Sequence, residues 1–120
     1  MKTNIFIIDG TDYHAHTFTK AVDRVSKLQS IDCSLRMDPE QFTLENILPQ
    51  KPHVIILLHC HDNIKEKVLA EYKGAKLLLV TPKPTEKQLQ DYDNVFIYDC
   101  ETLLKLQEKV TMWLYNNLEI

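Results

Sequence analysis

Glycine is scarce in this sequence, and its scarcity excludes two kinds of nucleotide-binding loop. The two glycines are Gly10 and Gly74, so neither a Walker phosphate loop nor the glycine-rich turn of a Rossmann dinucleotide site has the residues that it requires. Those loops need glycine because their backbone approaches the phosphate groups closely. We therefore expect no phosphate-binding loop of either kind.

The chain also lacks the cysteines of a disulfide framework and the long apolar run of a membrane span. Its three cysteines, Cys33, Cys60 and Cys100, are an odd number at wide spacing. This spacing fits neither a disulfide scaffold nor a zinc ribbon, and it favours a reducing compartment. The first apolar stretch, residues 4–8, is far shorter than a signal-peptide core or a transmembrane helix. The sequence therefore predicts a cytoplasmic protein that makes no membrane contact.

An excess of positive charge is absent as well. Lysine and arginine number 14 against 17 aspartates and glutamates, which gives a net charge of −3. The basic residues are also scattered, whereas a surface that follows a nucleic-acid backbone needs clustered positive charge. We therefore expect no nucleic-acid partner.

Apolar runs alternate with amphipathic stretches five times along the chain, and the connections are short. The pattern predicts strands at 4–8, 31–37, 54–58, 77–80 and 95–98, followed by helices at about 12–28, 39–48, 62–72, 85–92 and 101–118. The run at 54–58 is the most apolar and should be the central strand, because the inner strands of parallel sheets are covered on both faces. Polar and apolar residues alternate in the second run, which indicates an edge strand. The sequence predicts one three-layer α/β domain over residues 1–120, a doubly wound five-stranded parallel sheet of flavodoxin-like order 2-1-3-4-5.

Two helices carry more detailed expectations. In the first, five apolar residues recur at steps of three and four and predict one buried stripe: Phe18, Ala21, Val22, Val25 and Leu28. The helix at 62–72 is expected to end at Gly74, with that glycine as a left-handed cap.

Polar and metal-ligating residues are concentrated where the predicted strands end. The residues of this predicted binding edge are Asp9, Thr11, Asp12, His14, His16, His59, Cys60, His61, Thr81 and Asp99. Open α/β sheets bind their ligands beyond the carboxyl ends of the strands, at the switch point between the first and third strands. Four of the five histidines fall on the two loops that flank this point. We therefore expect any activity to lie at this edge.

Three hypotheses remain open for the function of the binding edge. Imidazole groups are ligands for zinc, iron or nickel, so His14, His16, His59 and His61 are candidate ligands for a divalent transition metal. If His14 and His16 both lie in the first turn of a helix, their side chains diverge and only one faces the other pair.

Alternatively, a histidine acts as general base or nucleophile, oriented by Asp9 or Asp99, or Cys60 is an activated thiolate. The third hypothesis is a binding surface without covalent chemistry and without a cofactor.

Residues 38–58 resemble the receiver domain of response regulators. The shared pattern is a short helix, the dipeptide Lys51-Pro52 and a buried strand, and the acid Asp9 and the hydroxyl of Thr81 follow strands one and four as in receivers. The resemblance implies a flavodoxin-like fold and a regulatory role in signalling.

The residues that carry receiver chemistry are different in this chain. Leu58 or His59 stands where receivers have the phosphorylated aspartate. Asp9 is a single acid where receivers usually have a pair for magnesium, and Asp99 occupies roughly the place of their lysine. The resemblance therefore implies a pseudo-receiver that is not phosphorylated on aspartate.

The last predicted helix has more apolar residues than one core-facing stripe requires. We predict that it contacts a protein partner or forms a homodimer through Leu106, Val110, Trp113 and Tyr115. The alternative is that Trp113 and Leu114 belong to the core, while Tyr115 and Met112 are scattered surface residues.

The leading hypothesis is a non-catalytic regulatory and protein-interaction module. A small enzyme or metal-binding protein that uses the histidine-rich edge is the first alternative, and a nucleotide-binding domain is the second.

Overall fold

The structure is a computed structural model. It describes residues 2–9, 15–37, 52–58, 62–71, 74–81, 83–97 and 103–118, which consist mainly of parallel strands and the helices that connect them. The strands are β1 Lys2–Asp9, β2 Asp32–Met37, β3 Val54–Leu58, β4 Lys76–Thr81 and β5 Asn94–Ile97. The helices are α1 Ala15–Gln29, α2 Asp62–Glu71, α3 Glu86–Asp91 and α4 Leu103–Asn117. The helix predicted at 39–48 lies outside the described residues.

The five strands form one sheet in the order β2-β1-β3-β4-β5, and every neighbouring pair is parallel. This order confirms the predicted α/β class and is compatible with a flavodoxin-like fold. β3 is the central strand and all five of its residues are buried, which agrees with its apolar sequence. β2 lies at one edge, as its alternating pattern predicts, and β5 lies at the other.

The two faces of the sheet belong to separate cores because successive side chains of a strand point to opposite faces. In β1, Ile5 and Ile7 pack on one side and Phe6 and Ile8 on the other. The first core is covered by residues of α1 and α4, namely Phe18, Ala21, Val22, Val25, Leu106, Val110, Trp113 and Leu114. The second core includes Val68 of α2 and, beyond α3, Tyr92.

The buried stripe of α1 is shorter than predicted, because Leu28 is 62% exposed. The inward position one turn after Val25 is held by Gln29, whose Nε2 donates a 2.7 Å hydrogen bond to the carbonyl of Tyr115 in α4. Since consecutive helical residues differ by about 100° in direction, Leu28 faces outward. The expectation that Leu28 is core is therefore wrong.

A left-handed residue ends α1, but it is a serine. Ser30 has φ 52°, and the backbone N–H of Ile31 donates to the carbonyl of Ser26 at 3.0 Å, the hydrogen bond of a Schellman motif. The Ser26 hydroxyl donates to the carbonyl of Ile31 at 2.6 Å and closes the turn further. Gly74, in contrast, does not have positive φ, so the expectation of a left-handed cap there is wrong.

The short helix α3 begins with a capping box, in agreement with the predicted helix start. The Thr85 hydroxyl accepts from the backbone N–H of Gln88 at 3.1 Å, and the Gln88 side chain accepts from the backbone N–H of Thr85 at 3.0 Å. Such reciprocal bonds satisfy amide donors that lack a partner within the helix. None of the helices in the described ranges is long and apolar enough to cross a bilayer.

Candidate functional site

The ends of β1 and β3 lie side by side at the carboxyl edge of the sheet. Asp9, the last residue of β1, is paired with Leu58, the last residue of β3. Leu58 is also paired with Val80 on its other side, so Thr81 follows one residue later in β4. The segments that contain His14 and His59 therefore start from neighbouring positions, as the predicted topology requires.

Most of the predicted binding edge lies outside the described residues: Thr11, Asp12, His14, His59, Cys60, His61 and Asp99. Of the others, Asp9 ends β1, Thr81 is half-buried at the end of β4, and His16 is an exposed residue in the first turn of α1. No group of three or more potential metal ligands occurs among the described residues. The metal, catalytic and binding hypotheses for this edge remain predictions.

The fifth histidine, His53, lies at the opposite edge of the sheet. Its Nδ1 accepts a 3.0 Å hydrogen bond from the backbone N–H of Asn4 in β1. Its own backbone carbonyl accepts from the N–H of Lys76 in β4 at 2.9 Å. His53 thus links the two strands that flank β3, close to where they start.

The four residues predicted for partner contact on the last helix are in different environments. Leu106, Val110 and Trp113 are buried in the first core at 3%, 0% and 9% exposure, so their side chains pack inside the domain. Tyr115 is 45% exposed, and Met112 is 60% exposed. Among residues 105–117 of α4, the large apolar residues that are exposed are therefore Met112 and Tyr115.

A groove lies between this helix and the start of the edge strand β5. It has a volume of about 630 Å³ and is open to solvent. Its lining consists of Asn94, Lys105, Glu108, Lys109, Met112 and Trp113. Trp113, mostly buried, contributes an aromatic surface, and Met112 adds an exposed thioether. The groove can accept an apolar side chain next to two lysines and one glutamate.

Sequence reasoning missed this groove because Asn94 and the helix are adjacent only in the folded chain. The helical spacing of Lys105, Lys109 and Met112, at steps of four and three residues, places them on one face. That spacing is visible in the sequence, but it does not show what the face borders.

A smaller cleft of about 170 Å³ separates α2 from α3 on the other side of the sheet. Lys65 and Lys87 line it together with Glu66 and Asp91. Since its charges balance, the cleft has no preference for an anion or a cation.

Cys33 in the edge strand β2 is a free thiol and half-buried. Burial raises the pKa of the thiol, the hydrogen bond with Ser26 lowers it, and the negative charge of Asp32 raises it. The net rise keeps the sulfur protonated and makes it a poor nucleophile.

Comparison of the chain with models of protein families finds no match, and no curated protein sequence matches it significantly.

Proposed function

We propose that this chain is a non-catalytic regulatory module that binds another protein, or a second copy of itself, through the outward surface of α4. The observation that carries the proposal is the exposure of Met112, at 60%, in the lining of the groove next to Trp113. Tyr115 of the same helix is exposed as well, at 45%. Exposed apolar residues that adjoin a concave surface are typical of interaction sites, whereas isolated ones are ordinary. Aromatic residues and methionine are also enriched at protein interfaces.

The module is pseudo-receiver-like and is not phosphorylated on aspartate. The flavodoxin-like strand order supports this part of the proposal. The last residue of β3 is Leu58, which is fully buried and has no group that can accept a phosphoryl group. A regulatory role through binding alone is consistent with both features.

The molar mass in solution, measured by light scattering over a series of concentrations, tests whether the partner is a second copy. A homodimer through α4 gives a mass that rises from 14.1 kDa towards twice that value. Met112→Glu places a charge on this surface, in the lining of the groove, and should weaken the dimer. Leu89→Glu is the matched control, because Leu89 is similarly exposed, at 57%, but lies in α3 on the other side of the sheet.

A mass that stays at 14.1 kDa at every concentration excludes the homodimer and leaves a different protein as the partner. An equal effect of Met112→Glu and Leu89→Glu would contradict the assignment of the surface to α4.

A second candidate is a metal-binding protein or small enzyme at the carboxyl edge. The pairing of Asp9 with Leu58 favours it, because the histidine-containing segments start from these two residues. This candidate predicts stoichiometric transition metal in the purified protein, or a higher melting temperature after zinc, nickel or iron is added to chelator-treated protein. His59→Ala should remove the effect, whereas His53→Asn at the opposite edge should retain it. Metal-free protein with an unchanged melting temperature would contradict metal binding.

A further inference from the structure

The two helical layers of the domain carry opposite net charge. Helices α1 and α4, which cover one face of the sheet, contain five basic and two acidic residues, a net charge of +3: Lys20, Arg24, Lys27, Lys105 and Lys109 against Asp23 and Glu108. All seven are exposed. Helices α2 and α3 contain three basic and five acidic residues, a net charge of −2. We call these two helices the α1/α4 layer. The layer is positively charged, whereas the whole chain has a net charge of −3.

Pairing within the layer leaves this charge in place. Lys27 and Asp23 form an exposed ion pair of 3.3 Å, which contributes no net charge. Removing that pair from the count leaves four basic residues and Glu108. Each of the two helices therefore keeps more exposed basic than acidic residues, which favours a negatively charged partner.

Apolar contact area lies on the same layer. Among the residues whose exposure the structure describes, the large hydrophobic ones that are exposed are Leu28, Leu89, Met112 and Tyr115, and three of these four belong to α1 and α4. The groove next to Trp113 borders the layer, and two lysines, Lys105 and Lys109, line it against one acid, Glu108. The surface thus combines a site for an apolar anchor with two lysines four residues apart.

We propose that the outward surface of α1 and α4 binds an acidic amphipathic helix of a partner protein. An apolar side chain of that helix enters the groove beside Trp113, and its carboxylates face Lys105 and Lys109. A helix that lays its apolar side into a groove is a common recognition mode, and charge complementarity selects an acidic one. The inference rests on the proposed function and specifies its partner.

The charge of the layer also disfavours a symmetric dimer through it. A twofold axis places the same surface of each copy against the other, which would bring two layers of charge +3 together. Like charges across an interface cost free energy and suppress the wrong partner. An acidic partner meets no such repulsion.

Tryptophan fluorescence provides a local measurement, because Trp113 is the single tryptophan of the chain. The probe is a synthetic helical peptide with leucine at helical spacing and glutamate at the remaining positions. The control peptide has lysine in place of every glutamate. We expect a saturable change in Trp113 fluorescence with the glutamate peptide, weakening as salt is added, and no change with the lysine peptide.

The double variant Lys105→Glu/Lys109→Glu should weaken binding of the glutamate peptide by about tenfold or more. The matched control Lys67→Glu/Lys87→Glu makes the same charge change at exposed lysines of α2 and α3 and should leave the affinity nearly unchanged. Anisotropy of a labelled peptide gives an independent affinity, and the melting temperature of each variant shows that it is folded.

Absence of binding, or equal weakening in both double variants, would overturn the inference. Binding to vesicles of anionic phospholipid without binding to the peptide would also overturn it and identify a lipid surface instead. The two proposals can be distinguished: self-association that Met112→Glu abolishes, without peptide binding, would support the interaction module and contradict the acidic partner.

Discussion

His53 and Asn4 exchange two hydrogen bonds across the start of the sheet. The backbone N–H of Asn4 donates to Nδ1 of His53 at 3.0 Å, and the backbone N–H of His53 donates to the carbonyl of Asn4 at 2.9 Å. The first bond requires a ring nitrogen with a lone pair, so it exists only in the neutral imidazole with its proton on Nε2. The side chain thus supplies an acceptor to a backbone donor of β1.

Replacing His53 by alanine should lower the free energy of unfolding by about 0.5 to 1 kcal/mol, because the amide of Asn4 loses its acceptor while water partly replaces it at this exposed position. His53→Asn is the control, since its side-chain oxygen can accept the same bond. Urea denaturation measures both. Equal stability of the alanine and asparagine variants would show that the bond contributes nothing.

Ser30→Gly should stabilise the protein by about 1 kcal/mol, because a residue with a Cβ atom is strained at positive φ and glycine is not. Ser30 has φ 52° and is exposed, so no buried contact is lost. Ser30→Ala keeps the Cβ atom and should give no gain. A Ser30→Gly variant no more stable than Ser30→Ala would contradict the assignment of strain to this residue.

Lys76 binds the carboxyl end of α4, and Lys76→Met should lower the free energy of unfolding by about 1 kcal/mol. Its Nζ donates to the backbone carbonyl of Asn117 at 2.9 Å and contacts the side-chain oxygen of the same residue at 3.4 Å. A cation at this end satisfies the last carbonyls and offsets the negative end of the helix dipole. Lys83→Met, at an exposed lysine outside the helix, is the control. Thermal denaturation of the two variants should give a lower melting temperature for Lys76→Met alone.

Cys33 should make the stability of the protein fall in alkaline solution. Burial raises the pKa of its thiol above the ordinary value of 9.0, so the folded state holds the proton more tightly than the unfolded chain. The contribution to stability is complete below pH 9 and is lost as the pH rises through the raised value in the folded state.

The difference in unfolding free energy between the wild type and Cys33→Ala isolates this effect, since the other titrating groups are common to both proteins. We expect the wild type to lose stability relative to Cys33→Ala as the pH is raised above 9. A difference independent of pH over that range would contradict the raised pKa.

The architecture was predictable because its determinants are local. The run at 54–58 is apolar throughout, and a strand buried on both faces requires this composition. The alternation of Cys33 and Leu35 with polar neighbours likewise indicated an edge strand. Thr85 and Gln88 stand at the spacing of a capping box, which fixes a helix start without reference to the rest of the chain.

The wrong expectations concern positions that the tertiary structure decides. Leu28 continues a helical pattern, but Gln29 holds the inward position. Its side chain bonds to the carbonyl of Tyr115 in α4, 86 residues away in the sequence. Gly74 follows a helix, as cap glycines do, whereas the left-handed conformation occurs at Ser30, which is not a typical cap residue. Periodicity and composition contain no information about either choice.

The candidate surface was only partly predictable for a related reason. The apolar excess of the last helix is visible in the sequence, but it does not show that Leu106 and Val110 face the sheet while Met112 faces solvent. The division of charge between the two layers depends on which helices share a face, and that follows from the sheet order. The adjacency of β1 and β3, with Asp9 paired to Leu58, follows from the predicted strand order, whereas the histidines of the predicted binding edge lie outside the described residues.

The central claim is that the outward surface of α4 is the interaction surface. Hydrogen exchange measured by mass spectrometry tests this claim most directly. The exchange of backbone amides is compared in dilute protein, in concentrated protein and in the presence of the glutamate peptide. The account predicts slower exchange in α4, within residues 103–118, in at least one of the last two samples, and unchanged exchange in α2 and α3. Unchanged exchange in α4 under all conditions, or protection confined to the segments that follow Asp9 and Leu58, would contradict it.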